Sequence, residues 1–232
     1  KKAEKILSQK HDEIPKKLSN LVLRSRNSIK TIAFQTAILA SVASEFKDSF
    51  YIEMEPNLRM QFPERKIGKH RKKMEEIIGP GQVTPHGAHK DSWFHHPKNT
   101  FNLWIPFTEA NYKNGLYILP RSQKYYPNFK DQEILEGNDT FINDQWVTNM
   151  QPGSAILFLA ELLHGSIINQ TDKIRSTLSM RFTLEKPDSQ SKKYDYRFLK
   201  KTNDKYKFFK FNHIENFSPY REKSIPYESI CK

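Results

Sequence analysis

Cysteine is nearly absent from this chain. Its 232 residues include one, Cys231. A single thiol excludes an internal disulfide framework and any cysteine-rich zinc site. Long apolar runs are missing as well. The longest stretch free of charge is Gln145–Ala160, interrupted by Asn149, Gln151, Pro152 and Gly153, and it is too short to span a bilayer. No basic segment followed by an apolar one opens the chain, so secretion is not indicated and a cytoplasmic protein is expected. The chain starts Lys1-Lys2 rather than with Met, as a piece of a longer protein would. Apolar residues are few, at 37%, but 16 Phe and 10 Tyr are large enough to build a packed core. A disordered chain should lack those aromatics. There are no internal repeats or low-complexity tracts, and the length suits one sizeable domain.

Acidic residues are outnumbered, 26 Asp and Glu against 38 Lys and Arg, for a net charge of +12. Such an excess favours an acidic partner: nucleic acid, an anionic membrane face, or a phosphorylated or carboxylated substrate. It is equally explained by lysine scattered over an ordinary surface. Two stretches are denser. Arg65–Lys73 is almost continuously basic, and Lys192–Lys210 interleaves bases with aromatics. The second has some likeness to a nucleic-acid surface, but amphipathic helices with snorkelling lysines look the same.

The N-terminal part reads as helical. Lys5–Leu23 has apolar residues at helical spacing, with a break expected at Pro15. Ser28–Phe46 predicts the clearest helix, with Ser28 at its start and a wide apolar face from Ile29 to Phe46. From Ser49 the texture changes to short runs of Ile, Phe, Tyr, Trp and Val between Pro, Gly and Asn. Strands are predicted near Ser49–Glu53, Leu58–Gln61, Gln82–Asp91, Thr100–Pro106, Gly115–Leu119, Ala155–Leu159, Ser166–Asn169 and Arg175–Leu184. Many short strands with few helices between them argue a sandwich or barrel. Asn114-Gly115 predicts a hairpin turn with positive φ. The polar segment Gln123–Gln151 reads as a long excursion. From Glu185 onward a charged, aromatic tail has no clear assignment.

The segment with chemistry in it is Pro85-His86-Gly87-Ala88-His89-Lys90-Asp91-Ser92-Trp93. Residues two apart on a strand point to one face, so His89 and Asp91 project together. A third ligand from another strand would complete a facial triad with open positions, as in non-haem Fe(II) oxygenases. His164, 75 residues on and just beyond an apolar strand, is the candidate. An H-x-D alone occurs often by chance on edge strands. His11, His70, His95, His96 and His213 read as surface or loop residues, although His95-His96 follows the His89-x-Asp91 segment closely enough for one of the two to reach the site mouth. In Arg175–Phe182 the odd positions Arg175, Thr177, Ser179 and Arg181 are polar, and Leu178, Met180 and Phe182 are apolar. A solvent-facing side would give that alternation, and so would an interior that holds an anion. Arg175 suits a bidentate pair with a carboxylate. Arg181 lies about 20 Å further along an extended strand, too far to share that carboxylate, and is assigned to substrate or surface.

Several segments together resemble the Fe(II)/2-oxoglutarate-dependent dioxygenases of the phytanoyl-CoA dioxygenase-like branch, from about 51 to 184. They are His89-x-Asp91, Phe101-Asn102-Leu103-Trp104-Ile105-Pro106-Phe107, Asn114–Gln123, Pro152-Gly153-Ser154-Ala155, and His164-Gly165-Ser166 followed by Arg175. Arg121 stands where the family usually has Gly, Gln123 where it often has His, and Ser154 where it often has Asp. None of these is a metal ligand in the family. The resemblance implies a mainly β fold with flanking α-helices, a double-stranded β-helix or jelly-roll, cupin-like barrel. It implies a single domain over 1–232, with N-terminal helices over about 1–46, a jelly-roll core over about 49–185 and a C-terminal extension over 186–232. It implies Fe(II) on His89, Asp91 and His164, with 2-oxoglutarate and O2 as co-substrates. Arg175 matches the residue that pairs with the distal carboxylate of 2-oxoglutarate, and Ser166 matches a hydroxyl that assists it. Asn102 and Trp104 lie on the strand that lines the co-substrate pocket. Each of these last three also has a plain structural reading, as a turn, a backbone bond or core.

The implied activity is hydroxylation of a small polar or anionic metabolite, with release of succinate and CO2. Halogenases that resemble the family have a small residue in place of the carboxylate, so Asp91 favours hydroxylation, although desaturation and cyclisation use the same triad. Two alternatives stand. One is an oxidative demethylase of alkylated nucleic-acid bases, whose R-x5-R signature is matched by Arg175 and Arg181. The Asn-Gly-hydrophobic-Pro segment argues against it, and strand alternation alone produces that spacing. The other is a non-catalytic jelly-roll binding protein. The loops 65–81 and 123–151 are expected to set specificity.

Overall fold

The computed structural model describes residues 2–8, 13–29, 38, 49–79, 83, 85–124, 129–130, 133–134, 145–187, 194–202, 205–210 and 225–226. The helices come first: α1 (Lys2–Leu7), α2 (Ile14–Ile29), α3 (Glu64–Ile67) and α4 (Arg71–Ile78). Ile14, Leu18 and Val22 recur every four residues on α2 and are buried. They pack with Ala3, Phe62, Ile67 and Met74 into a helical core. Each such side chain stabilises the fold by about 1.5–3 kcal/mol. Pro15 does not break a helix. It lies in the first turn of α2, where its missing N–H has no intrahelical partner to lose. Ser28 is inside α2 and donates to the Ser25 carbonyl at 2.7 Å, so it starts no helix. Nothing in Ser25–Ile29 stops the helix, which runs on through Ile29. The rest of the predicted Ser28–Phe46 helix lies, apart from Ile38, outside the described residues.

The strands are β1 (Ser49–Glu53), β2 (Asn57–Gln61), β3 (Phe101–Pro106), β4 (Leu116–Ile118), β5 (Phe129–Lys130), β6 (Glu133–Ile134), β7 (Trp146–Val147), β8 (Ile156–Leu159), β9 (His164–Ser166), β10 (Arg175–Thr183), β11 (Tyr196–Thr202), β12 (Lys205–Lys210) and β13 (Ile225–Pro226). All the pairings are antiparallel. The large sheet runs β13-β12-β11-β1-β10-β3-β8, with β2 on β10 beside β1. A smaller sheet runs β7-β4-β9, and β5 pairs with β6. A bridge between His89 and His164 ties the loop before β3 to the small sheet. The architecture is the mainly β jelly roll that the resemblance implies, within the sandwich-or-barrel class that the strand spacing predicts. No helix among the described residues is long and apolar enough to cross a membrane.

β10 organises the interior. Its even residues Leu178, Met180 and Phe182 join Phe50, Ile52, Leu58, Leu103 and Leu199 in a core on one face of the large sheet. Its odd residues face the small sheet. Register pairs Arg181 with Asn102, Ser179 with Trp104 and, across the other edge, Arg175 with Gln61. Paired residues share a face, so one side of three strands is polar and turned inward. Trp104, Ala110, Leu116, Ile118 and Phe158 close the inner layer.

Three local expectations are corrected. Gln82–Asp91 is not a continuous strand: from Pro85 on, only His89 pairs, and Asp91 opens a 3-10 turn to Phe94. The predicted Ser166–Asn169 strand lies earlier, at His164–Ser166, because Asn169 closes a turn by accepting from the Thr171 amide at 3.0 Å. Gly115 has no positive φ. It is glycine because a Cβ there would stand 2.4 Å from the Thr148 hydroxyl and 2.6 Å from the Asn111 carbonyl. The unassigned tail supplies β11 and β12, which extend the large sheet from β1.

Candidate metal centre

Lys90 lies between His89 and Asp91 with extended backbone, φ −103° and ψ 144°. That one extended residue keeps the two side chains on one side, although no strand continues through them. The His89 amide donates to the His164 carbonyl at 2.9 Å, and the His164 amide donates back to His89 at 3.0 Å. Backbone pairing therefore sets the two imidazoles side by side, with ring centroids 4.4 Å apart.

Each imidazole is held by its other nitrogen. His89 Nδ1 lies 2.8 Å from the Gly87 carbonyl, and His164 Nδ1 lies 2.9 Å from that of Leu162. A carbonyl only accepts, so both Nδ1 atoms bear the proton and both Nε2 lone pairs are free. The two Nε2 atoms lie 3.7 Å and 3.6 Å from Asp91 Oδ1. All three ligand atoms fall within 4.8 Å of one another, and all three residues are buried. Burial pulls His89 and His164 below the ordinary imidazole range, which keeps them neutral and able to ligate. Burial pushes Asp91 up, but Arg181 and then His164 outweigh it and hold the carboxyl well below its usual range. Two neutral imidazoles and one carboxylate on a single face, with the opposite side open to a cavity, fit Fe(II).

The second oxygen of Asp91 is fixed from behind. Arg181 Nε donates to Oδ2 at 2.9 Å, and Asn102 Nδ2 donates to the same atom. Arg181 Nη1 also reaches Glu53 Oε2 at 3.3 Å. Arg181 is thus not at the surface: it spans Asp91 and a buried glutamate, and it borders both cavities of the site. The R-x5-R spacing reflects strand alternation, with both arginines on the inward face of β10.

Arg175 is fully buried. Its Nη1 donates to the carbonyls of Asn114 and Gly115 at 2.9 and 3.2 Å, and its guanidinium lies 5.7 Å from the Trp104 ring centroid. Its Nε is buried without a partner, as is the Thr177 hydroxyl beside it on the same face. Burial pulls Arg175 down to about 9, so it stays charged at neutral pH. Ser166 and Trp104 line a small deep cavity of about 40 Å³, together with Asn102, Phe158 and His164. A larger cavity of about 470 Å³ opens from His89 and Asp91 to the outside. The 114–123 motif braces this end. Asn114 Oδ1 accepts from the Asn111 amide at 2.8 Å. Ser122 Oγ accepts from the Leu163 amide at 2.7 Å, next to His164.

A model of the phytanoyl-CoA dioxygenase (PhyH) family matches residues 54–177, just over half of the chain. The chain belongs to that family. The match takes in β2, the His89-x-Asp91 segment, His164 and the start of β10. The family is that of a dioxygenase, and the two imidazoles and one carboxylate suit the iron of such an enzyme. A search of curated protein sequences returned no match. Among solved structures, the chain is similar to EvdMO1 at 22% identity, covering 62% of this chain and 30% of that one, TM-score 0.43. It is also similar to EvdO2 from Micromonospora carbonacea var. aurantiaca, solved with 2-oxoglutarate, at 14% identity over 68% and 62% of the two chains, TM-score 0.45. The chain spans less than two thirds of either structure. ThoJ, a non-heme monooxygenase, matches at 12% identity over 99% of this chain and 84% of its own, TM-score 0.52. That likeness shows a shared fold.

The structure adds residues that the sequence reading missed. Arg59 of β2 and His86 line both cavities, and Glu53, Phe94, His96 and Tyr194 line the outer one. The alternation Asn57-Leu58-Arg59-Met60-Gln61 carried the same inward-polar signal as β10. His96 is not a surface residue. It is buried, stacks on Tyr194 at 3.7 Å and lies 3.9 Å from Glu53. Its place soon after Asp91 is the one local sign, and its partner Tyr194 lies almost a hundred residues away. His95 takes the turn, with φ 73°, and is exposed.

Proposed function

We propose that this chain is an Fe(II)- and 2-oxoglutarate-dependent oxygenase. In this reading it is a single domain that hydroxylates a small polar or anionic metabolite and releases succinate and CO2. The observation that carries the proposal is the convergence of His89 Nε2, His164 Nε2 and Asp91 Oδ1, with both Nδ1 protons tied to carbonyls. Bound there, Fe(II) with 2-oxoglutarate and O2 supplies the oxidising power for the C–H bond. The chain's own groups position and enclose. Arg181 and Asn102 hold Asp91 by Oδ2 and leave Oδ1 for the metal. Trp104, Leu116 and Phe158 wall the deep cavity with apolar surface and exclude water. Arg175 is the candidate for the distal carboxylate of 2-oxoglutarate, and its unpartnered Nε supports that role. Ser166, on the lining of the same cavity, is the assisting hydroxyl. The carboxylate of Asp91 fills the position a halide would need, which favours hydroxylation over halogenation. A cytoplasmic setting, where a lone thiol stays reduced, belongs to the same reading.

The test joins metal content to turnover. Wild-type chain loaded with Fe(II) should release succinate from 2-oxoglutarate. Against a library of small metabolites, one product should gain a single oxygen. His89→Ala and His164→Ala should lose most of their iron, and full occupancy in both would sink the triad. Formaldehyde from methylated single-stranded nucleic acid, with no small metabolite turned over, would replace this reading with the demethylase.

A further inference from the structure

Glu53 ends β1. The register that sets Tyr51 against Thr183 and Ile52 against Phe182 carries it to the level of Arg181. It is 5% exposed, and its two oxygens have different surroundings. Arg181 Nη1 donates to Oε2 at 3.3 Å, and His96 Nδ1 lies 3.9 Å from the same atom. Oε1 accepts from none of the described residues. Unlike the buried Asn102 Oδ1, it is not sealed from solvent. Glu53 lines the outer cavity, and Oε1 is the oxygen that faces it.

The guanidinium that holds Oε2 also holds Asp91, through Nε on Oδ2. Glu53 therefore stands one guanidinium away from a member of the triad. A molecule anchored on Oε1 has its body in the cavity that His89 and Asp91 border. Phe94 and Tyr194 wall the same cavity, and Tyr194 donates to the Phe94 carbonyl at 2.9 Å, which fixes that wall. Solvent that reaches Oε1 is displaced when a substrate fills the cavity. Its hydrogen bond must then be replaced, because a carboxylate oxygen buried without one is costly. A carboxylate has only acceptor sites. 2-Oxoglutarate as a dianion has no donor and cannot supply this bond. A substrate that offers an O–H or N–H group is therefore favoured over one that does not.

We propose that Glu53 is a specificity residue: its Oε1 accepts a hydrogen bond from a hydroxyl or amino group that anchors the substrate in the outer cavity. This rests on the oxygenase reading above and narrows its polar or anionic substrate to one that bears such a donor. Oε2 stays with Arg181 throughout, so the anchor does not disturb the hold on Asp91.

Glu53→Gln makes the test. Arginine has no acceptor, so the new amide must give its oxygen to Arg181 and turn its NH2 to the cavity. The acceptor that faces the substrate becomes a donor, with the shape nearly kept. The chain is loaded anaerobically with Fe(II) and saturating 2-oxoglutarate at pH 8, above the value of about 7 to which burial raises Glu53. It is titrated calorimetrically with a library of alcohols, polyols and primary amines, each beside the ketone of the same skeleton. The alcohol and amine arms show which donor the site prefers. At least one donor should bind wild type saturably, about tenfold or more tighter than its ketone. Glu53→Gln should lose that margin or reverse it, with iron content and 2-oxoglutarate affinity within about twofold of wild type. Glu53→Asp keeps the charge but draws the oxygen back by one methylene. It should bind the donor more weakly, and it carries the test if Glu53→Gln does not fold. No saturable donor binding by wild type overturns the proposal. So does a full margin in Glu53→Gln, or undiminished donor affinity in Glu53→Asp. If the oxygenase reading is what fails, iron-loaded wild type will not bind 2-oxoglutarate. Titration of metal-free chain with the same library then still reports on Glu53.

Discussion

Arg181 holds Asp91 by the oxygen that the metal does not need. Its Nε lies 2.9 Å from Oδ2, while Oδ1 faces both imidazoles. The same guanidinium reaches Glu53, so one cation balances two buried carboxylates. Arg181→Gln leaves both without it. The metal-free variant should lose about 3–5 kcal/mol of stability in denaturant unfolding, the cost of stranding a buried charge. Iron affinity should fall about 10–100-fold, as is usual when a ligand's supporting partner is removed. Wild-type values for both would mean that Asn102 alone orients Asp91.

Arg175→Lys separates charge from shape. Lysine cannot span the carbonyls of Asn114 and Gly115 and still present a fork. The apparent Michaelis constant for 2-oxoglutarate should rise about tenfold or more, with iron content unchanged. An unchanged constant would transfer the co-substrate carboxylate to another cation.

Glu53 makes stability depend on pH. Burial, partly opposed by Arg181, raises it from 4.5 to about 7. The unfolded chain then binds fewer protons than the folded one between those values. This group's contribution is fully present below about pH 4.5 and is lost as pH rises through about 7. Glu53→Gln should flatten that part of the stability profile, measured by urea unfolding from pH 4.5 to 7.5. A profile of unchanged slope would assign the dependence elsewhere.

Arg121 has φ 65°, a left-handed conformation that costs a residue with a Cβ about 1–2 kcal/mol. It stands at the position where the resembled motif has Gly. Arg121→Gly should stabilise the chain by up to about 1 kcal/mol, because glycine's greater freedom when unfolded offsets part of the relief. The thermal midpoint should rise, and a fall would show that the Arg121 side chain contributes more than the strain removes.

Much of this was legible locally. The strand at Ser49–Glu53 was read with the boundaries it has, and those near Leu58, Thr100, Ala155 and Arg175 to within a residue. Period-two alternation is a local property, and burial of one face enforces it. The same alternation on β10 placed Arg175 and Arg181 on one face, and His89-x-Asp91 needed one extended residue between its members. The tertiary structure decided what those faces meet. Pairing between His89 and His164 brings together ligands 75 residues apart. The register of β10 on β3 sets Arg181 beside Asn102 and hence on Asp91, and the register on β2 brings in Arg59. The tail strand β11 carries Tyr196 to Thr100, and Tyr194 just before it reaches His96. These are contacts between distant segments, chosen by hydrogen-bond register and by where a buried charge finds its partner. The residue pattern along the chain thus determined the elements and the ligand set, while the partners of each charged side chain depended on how the sheets closed.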